Sequence, residues 1–279
     1  MNLVKNAELL IFDLDGTLYE DTDHFSYHAK QLKHKLPDGV QDRFWKEYEQ
    51  MVSGLHVLTI GKVYDVQRDT ILAINPETFI VEQVWDWAGE EWSKDAVQQT
   101  YPTVIEFDFE QMIAIGDGWW FPFANALHYG LTTKDTYDSY VKTKEYMVSG
   151  QFTLTKTKGL KQQLLKWKQS KTIILVTNSE EYDVRNLLKE LDLENLFHDV
   201  VTSAKKPANT KQHFTRIMDK WNVTPEQTVS IGDNFINEIA PALQMNMKAV
   251  LINPQASADE WDNEHMTVIE SMTAIIESE

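Results

Sequence analysis

Hydrophobic and polar positions along this chain change rhythm twice. Leu9-Leu10-Ile11-Phe12 is a short apolar run closed by Asp13-Leu14-Asp15-Gly16-Thr17, which reads as a buried strand running into a turn. From about residue 155 onward, apolar runs of strand length alternate with amphipathic segments. Strands are predicted at Thr172–Thr177, Asp199–Thr202, Thr228–Ile231 and Lys248–Ile252. Between and after them, helices are predicted at Lys161–Lys168, Glu181–Leu191, Thr210–Trp221, Glu238–Gln244 and Met266–Glu277. Phe214, Ile217, Met218 and Trp221 share one face of the third of these helices. Strands alternating with helices of this length imply a doubly wound parallel sheet, helices on both faces.

Residues of about 21 to 154 break that rhythm. Two helices are predicted at Asp23–Leu36 and Val40–Met51. Strand-like alternation follows at His56–Val66, Thr70–Ile74 and Thr103–Phe109, then a helix at Asp135–Met147. The expected organisation is α/β, with core segments 1–20 and 155–279 and an inserted α+β domain at 21–154. Much of the tryptophan, including Trp85, Trp87, Trp92, Trp119 and Trp120, falls in the insert. The Trp119-Trp120-Phe121 cluster and the Trp85–Trp87 stretch are expected in its core, since aromatic side chains dominate burial there, with stacking on a substrate ring as the alternative.

Composition narrows the classes. The chain has 279 residues, 42% hydrophobic and 25% charged, as in an ordinary globular protein. A formal net charge of −17 disfavours nucleic acid and requires a local cation to receive an anionic substrate. With no cysteine, disulfides, thiolate metal sites and a cysteine nucleophile are excluded. The N-terminal stretch lacks a signal-peptide core, and no apolar run reaches membrane-span length, so a cytoplasmic location is expected.

Ligands of an open parallel sheet bind at the carboxyl ends of its strands. Polar groups are predicted at four such ends: Asp13 and Asp15 after the first strand, and Thr177-Asn178 after the second. Lys205-Lys206-Pro207 follow the third, and Asp233, with Asn237 and Glu238 close behind, the fourth. The paired carboxylates call for a hard cation such as Mg²⁺, which takes oxygen ligands. A calcium loop is excluded, because the glycine comes fourth rather than sixth and a strand leads in.

This ordered set resembles the haloacid dehalogenase (HAD) superfamily of phosphatases and phosphotransferases. The resemblance covers the core and implies an aspartyl-phosphate mechanism. Asp13 matches the nucleophile and Asp15 the general acid/base. Thr177 and Asn178 match the phosphoryl-binding motif. Lys206, next to proline, matches the lysine that steadies the nucleophile, with Lys205 the other possibility. Asp233 matches the metal-binding acid, so Mg²⁺ would be held by the Asp13 carboxylate, the Asp15 main-chain carbonyl and Asp233. Where the family often has a second acid after the fourth motif, Asn237 and Glu238 stand here, and for Glu238 the roles of metal ligand and lysine partner are both open. The insert matches the position of a cap. Asp15 favours phosphate chemistry, since dehalogenases of the superfamily lack it. The expected activity is hydrolysis of a small phosphorylated metabolite. A phosphotransferase or mutase, or a non-catalytic phosphate-binding module, would use the same residues. Neither the substrate nor the oligomeric state follows from the sequence.

Other groups read as structural. His24 and His28, one helical turn apart, are expected on a solvated or lining helix face. Gly116-Asp117 reads as a turn, Arg185 as a surface charge, and the acidic stretch from Asp259-Glu260 to Glu279 as a solvated helix face.

Overall fold

A computed structural model of the chain describes residues 2–75, 78–108, 110–253 and 264–278. In chain order its described strands are β1 (Leu9–Phe12), β2 (Val63–Asp65), β3 (Thr70–Ile74), β4 (Val81–Asp86) and β5 (Met112–Ala114). They continue with β6 (Thr172–Val176), β7 (Asp199–Val201), β8 (Thr228–Gly232), β9 (Lys248–Ile252) and β10 (Met266–Ile269). The chain divides into two compact units, Met1–Asp21 with Phe152–Glu279, and Thr22–Gln151.

The first unit is built on a six-stranded sheet ordered β10-β9-β8-β1-β6-β7, with every neighbouring pair parallel. All four residues of β1 are buried, as a strand covered on both faces requires. Leu9 and Ile11 pack in one cluster with Phe214, Ile217 and Met218 of helix Thr210–Trp221. Phe12 meets Trp167 of helix Leu160–Ser170 at 5.8 Å and Phe197 at 6.1 Å. The strand order reverses at β1, because the chain leaves it for β6 and β7 and returns to β8 on its other side. Phe12 lies level with Leu175 and with Ile231, so β1, β6 and β8 end together. The polar residues that follow them are therefore delivered to one edge, at the topological switch point where open α/β sheets bind ligands.

Two expectations for this unit are corrected. Met266–Glu277 is not one helix: Met266–Ile269 is the edge strand β10, and only Met272–Ser278 is helical. Met266 and Val268 are buried while Thr267 between them is less so, and this period-two pattern pairs the segment with β9. The predicted helix Glu238–Gln244 is α-helical only over Ala240–Gln244 and is preceded by a π-helical turn, Phe235–Ile239. Asp259 and Glu260 lie outside the described residues, so the expected acidic helix face is not placed at its start. Asp21 belongs to this unit, since its carboxylate accepts the Thr155 backbone N–H (2.8 Å) and hydroxyl (2.6 Å).

The second unit holds a four-stranded sheet, β4-β3-β2-β5, antiparallel throughout. Its helices are Asp23–Lys33, Asp38–Val52, Lys94–Thr100, Trp120–His128 and Thr133–Met147 among the described residues. The last of them starts at a reciprocal cap between Thr132 and Asp135. Tyr48, Tyr64, Ile71, Trp87, Ile113 and Phe121 form its main core; of the aromatics expected there Trp87 and Phe121 are buried, Trp85 and Trp120 pack against it partly exposed, and Trp119 lies outside the cluster. Here too the predicted strands shrink. His56–Val66 pairs only over Val63–Asp65, because His56 Nδ1 accepts the Leu58 N–H (3.0 Å) and the chain turns before Lys62. No strand forms over residues 103–108, and Phe109 lies outside the described residues. The Asp108 carboxylate instead gathers the N–H groups of Glu110, Gln111 and Met112 at 2.8–3.0 Å, turning the chain into β5. Gly116-Asp117 is a turn, with Asp117 Oδ1 accepting the Trp119 N–H at 2.8 Å.

Candidate active site

Asp13 continues the pairing of β1 by one residue, donating its N–H to Ile231 O at 3.0 Å. That leaves its side chain at the strand end, 7% exposed. Lys206 Nζ donates to Asp13 Oδ1 at 2.8 Å and to Glu238 Oε1 at 2.6 Å, so one ammonium bridges two buried carboxylates. The three residues come from the first, third and fourth strand ends.

The loops that bring them together are fastened to each other. Thr177 N–H donates to Val201 O, Ala204 N–H to Thr177 O, and Ser203 N–H to Ser179 O. Asn178 clasps the main chain of Lys206 from both sides. Its Nδ2 donates to Lys206 O (3.0 Å) and its Oδ1 accepts Lys206 N–H (2.7 Å). The Asn178 amide thus braces the lysine. Thr177 lies buried at the end of β6, its Oγ1 accepting the Ser179 N–H at 3.1 Å. Of the adjacent lysines, Lys205 is exposed and Lys206 is buried against Asp13.

Glu238 arrives through the π-helical turn. Asn234 Oδ1 accepts the Asn237 N–H (3.0 Å), Asn234 O accepts the Glu238 N–H (3.1 Å), and Thr210 donates its hydroxyl to Asn237 O (2.7 Å). Of the two residues left open by the sequence, Asn237 is held by its main chain and Glu238 reaches Lys206. Gly232 makes the passage possible, since a Cβ there would come within 3.0 Å of Glu238 Cγ. Single-turn π segments recur at functional sites.

Asp15 is held by two hydroxyls, which the sequence reading missed. Ser179 Oγ donates to Asp15 Oδ2 at 2.8 Å, and Tyr19 OH donates to Asp15 Oδ1. Their signal was positional: Ser179 lies two residues past Thr177, and Tyr19 closes the turn four residues past Asp15. Gly16 sits in the left-handed region at φ +73°, and a Cβ on it would fall 2.1 Å from Asp233 Oδ2. Asp233 therefore packs directly on the turn that carries Asp13 and Asp15.

The electrostatics follow from burial. Burial by itself would lower the Lys206 pKa, but the charges of Asp13 and Glu238 outweigh it and hold the ammonium above the ordinary lysine range. Burial pushes the Asp13 carboxyl up; the Lys206 charge pulls against this, and the neighbouring Asp15 charge adds to it.

The donor set around the turn is all oxygen, and only a glycine at 16 leaves room for the Asp233 carboxylate beside it. This suits a hard cation that keeps several waters. Among the described residues no three His, Cys, Asp or Glu side chains converge on a metal position. The expected ligands, two carboxylates and the Asp15 main-chain oxygen, do not require three.

Of the other candidates, two lie in the second unit and one on a helix of the first. His24 and His28 are buried, not solvated, and both pack against the Trp119 ring, at 4.9 and 5.2 Å. Arg185 is exposed and pairs with Glu181 one helical turn away.

A parallel sheet with a lysine-bridged carboxylate pair at its switch point defines an α/β enzyme core. The family model for haloacid dehalogenase-like hydrolases matches residues 7–246, so the chain belongs to that family. It is similar to haloacid dehalogenase-like hydrolase domain-containing protein 3 of Xenopus laevis, 29% identical over 97 residues. The match covers 33% of this chain and 39% of that protein. The fold is similar to that of the magnesium-bound HAD-hydrolase YfnB of Bacillus subtilis, with TM-score 0.53, 16% identity and 98% of each chain covered. A haloacid dehalogenase-like family hydrolase from Xanthomonas campestris matches at TM-score 0.48 and 14% identity, over 98% of this chain and 96% of that one. No helix among the described residues is long and apolar enough to cross a membrane.

Proposed function

We propose that this hydrolase is a cytoplasmic, Mg²⁺-dependent phosphatase that acts on a small phosphorylated metabolite through an aspartyl-phosphate on Asp13. The observation that carries the reading is the Asp13–Lys206–Glu238 bridge beside the hydroxyl-held Asp15. The Asp13 carboxylate, the Asp15 main-chain carbonyl and Asp233 would hold the Mg²⁺, which when bound offsets charge on the transferring phosphoryl oxygens. The magnesium bound to YfnB, a protein of similar fold, supports the choice of metal.

Asp13 attacks phosphorus, and the P–O bond to the leaving alcohol breaks. Asp15, in its acid form, gives its proton to the departing oxygen. Asp15 then takes a proton from the water that attacks the aspartyl-phosphate. Inorganic phosphate leaves, with Asp13 again a carboxylate and Asp15 again an acid. Lys206 orients Asp13 and balances charge, and Glu238 fixes Lys206. The Thr177 hydroxyl donates to a phosphoryl oxygen, while Asn178 acts through Lys206. The insert serves as the cap that selects substrate.

A phosphometabolite panel with Mg²⁺ tests the reading. Release of inorganic phosphate in step with the alcohol is expected, and Asp13→Asn should lower turnover by at least about a thousandfold. Equal activity of wild type and Asp13→Asn would sink the assignment.

A further inference from the structure

The two carboxylates of the motif are held in chemically different ways. Asp13 is gripped by an ammonium, which only donates. Asp15 receives one hydroxyl on each oxygen, from Tyr19 on Oδ1 and from Ser179 on Oδ2. Tyr19 is fully buried and Ser179 nearly so. A hydroxyl can donate or accept by rotating its proton, so such a pair can hold a carboxyl group before and after it loses a proton. An ammonium or a backbone N–H in the same place could only donate, so it could not accept from the acid form, and a charged donor would favour the anion over the acid.

We infer that Tyr19 and Ser179 are positioning residues that hold the plane of the Asp15 carboxyl while it delivers its proton to the leaving oxygen and later takes one from water. This rests on the acid/base role proposed for Asp15. The two clamps come from separate parts of the chain, Tyr19 from the turn after β1 and Ser179 from the loop after β6. Ser179 is itself placed by two further bonds: its N–H donates to Thr177 Oγ1, and its carbonyl accepts Ser203 N–H. The loop that presents Thr177 is thus the loop that orients Asp15, so the phosphoryl-binding and proton-transfer groups are aligned together. General acid catalysis contributes about 10²- to 10⁴-fold, and a misdirected proton donor forfeits part of that.

The test uses leaving-group dependence, which a merely structural role does not alter. Tyr19→Phe and Ser179→Ala are compared with Asp15→Asn on p-nitrophenyl phosphate, phenyl phosphate and an alkyl phosphate. The quantity read is kcat/KM, which covers steps through loss of the alcohol. A nitrophenolate leaves without a proton; an alkoxide does not. Tyr19→Phe and Ser179→Ala are each expected to lower kcat/KM about 10- to 100-fold on the alkyl ester, and less than about threefold on the nitrophenyl ester. Asp15→Asn should show the same pattern, more steeply. If Asp15→Asn is selective while both clamp variants lose the same factor on every ester, the positioning role is overturned and the phosphatase reading stands. If Asp15→Asn is itself unselective, or wild type cleaves no phosphomonoester, the underlying reading fails and this inference with it. Should Tyr19→Phe not fold, Ser179→Ala decides alone, since it removes only one oxygen.

Discussion

Each unit of this protein buries a carboxylate, and the two do it by different means. In the insert, Asp65 is fully buried at the end of β2. Its partners are local or structural: Arg68 donates N–H and Nη1 to it at 3.1 Å each, three residues on, and Tyr101 OH donates at 2.7 Å. The Arg68 bonds close the turn between β2 and β3 and can form as soon as the hairpin does; Tyr101 joins from 36 positions on. In the core, Asp13 draws its cation from 193 positions away, and that lysine meets Glu238 another 32 positions on. No local turn supplies these partners, so the cluster exists only when the parallel sheet is complete. Both carboxylates are desolvated, but Arg68 keeps its guanidinium partly in water while Lys206 is buried, so the core bridge carries the larger desolvation cost.

Breaking the core cluster should produce the largest effect. Lys206→Met leaves Asp13 and Glu238 buried without their shared cation, which is expected to destabilise the core by about 3–5 kcal/mol. Activity should fall by at least about a thousandfold, because Asp13, the proposed nucleophile, loses its orienting partner. Adding Glu238→Gln should recover part of the stability in urea unfolding and none of the turnover. Lys205→Ala is the control. Its side chain is exposed, so stability should shift by no more than about 0.5 kcal/mol. If both lysine variants behave alike, the contrast between the two units collapses.

The same contrast decides what could be read from the sequence. In the core, element type and candidate site residues coincide: apolar strands stop where Asp13, Thr177 and Asp233 begin, and the strand rule places them together. Glu238 could not be chosen over Asn237, because the choice depends on a π-helical turn whose extra residue rotates one side chain toward Lys206. Tyr19 and Ser179 were invisible because their partner lies across a turn or a loop, and neither residue type announces acid/base support. In the insert, helices Asp23–Lys33, Asp38–Val52 and Thr133–Met147 and strand β3 were legible, β2 only in part, and the rest of the sheet was not. Its short antiparallel strands have weak alternation, and β4 and β5 were not anticipated at all. The helix Trp120–His128 was hidden because seven of its nine residues are apolar or aromatic, without a polar face to reveal its period.

Breaking the local staple should produce a smaller, confined effect. Asp65→Ala removes the acceptor of three hydrogen bonds, at a cost of about 2–3 kcal/mol within the insert. Tyr101 keeps Thr70 as a partner at 3.0 Å, which limits the loss. Hydrogen exchange should speed up in Val63–Asp65 and Thr70–Ile74 and stay unchanged in β1, β6 and β8. Faster exchange in those core strands would show that the insert's staple is not local.

The smallest effect sharpens the comparison through pH. His28 is buried in the insert, its Nδ1 3.3 Å from Thr143 Oγ1, with the Trp119 ring 5.2 Å away. Burial pulls its pKa down to about 4, the Lys144 charge adds to this, and a hydrogen bond with the Ser139 backbone opposes it. The unfolded chain keeps the ordinary value of 6.5, so as pH falls the unfolded state takes up the proton first. The contribution is therefore complete above about pH 6.5 and is lost as pH drops toward about 4. Between pH 7 and 5 the loss amounts to about 2 kcal/mol. His28→Leu removes the titrating ring, and Thr143 still donates its hydroxyl to Ser139 O at 2.7 Å, so no buried donor is stranded. Amide exchange in helices Asp23–Lys33 and Thr133–Met147 should accelerate from pH 7 to 5 in wild type, after correction for intrinsic rates. In the variant it should hold nearly level. The Lys206 ammonium stays charged throughout that range, so the lysine itself adds no acid sensitivity to the core. Equal acid sensitivity in both units would mean that the histidine is not what loosens the insert.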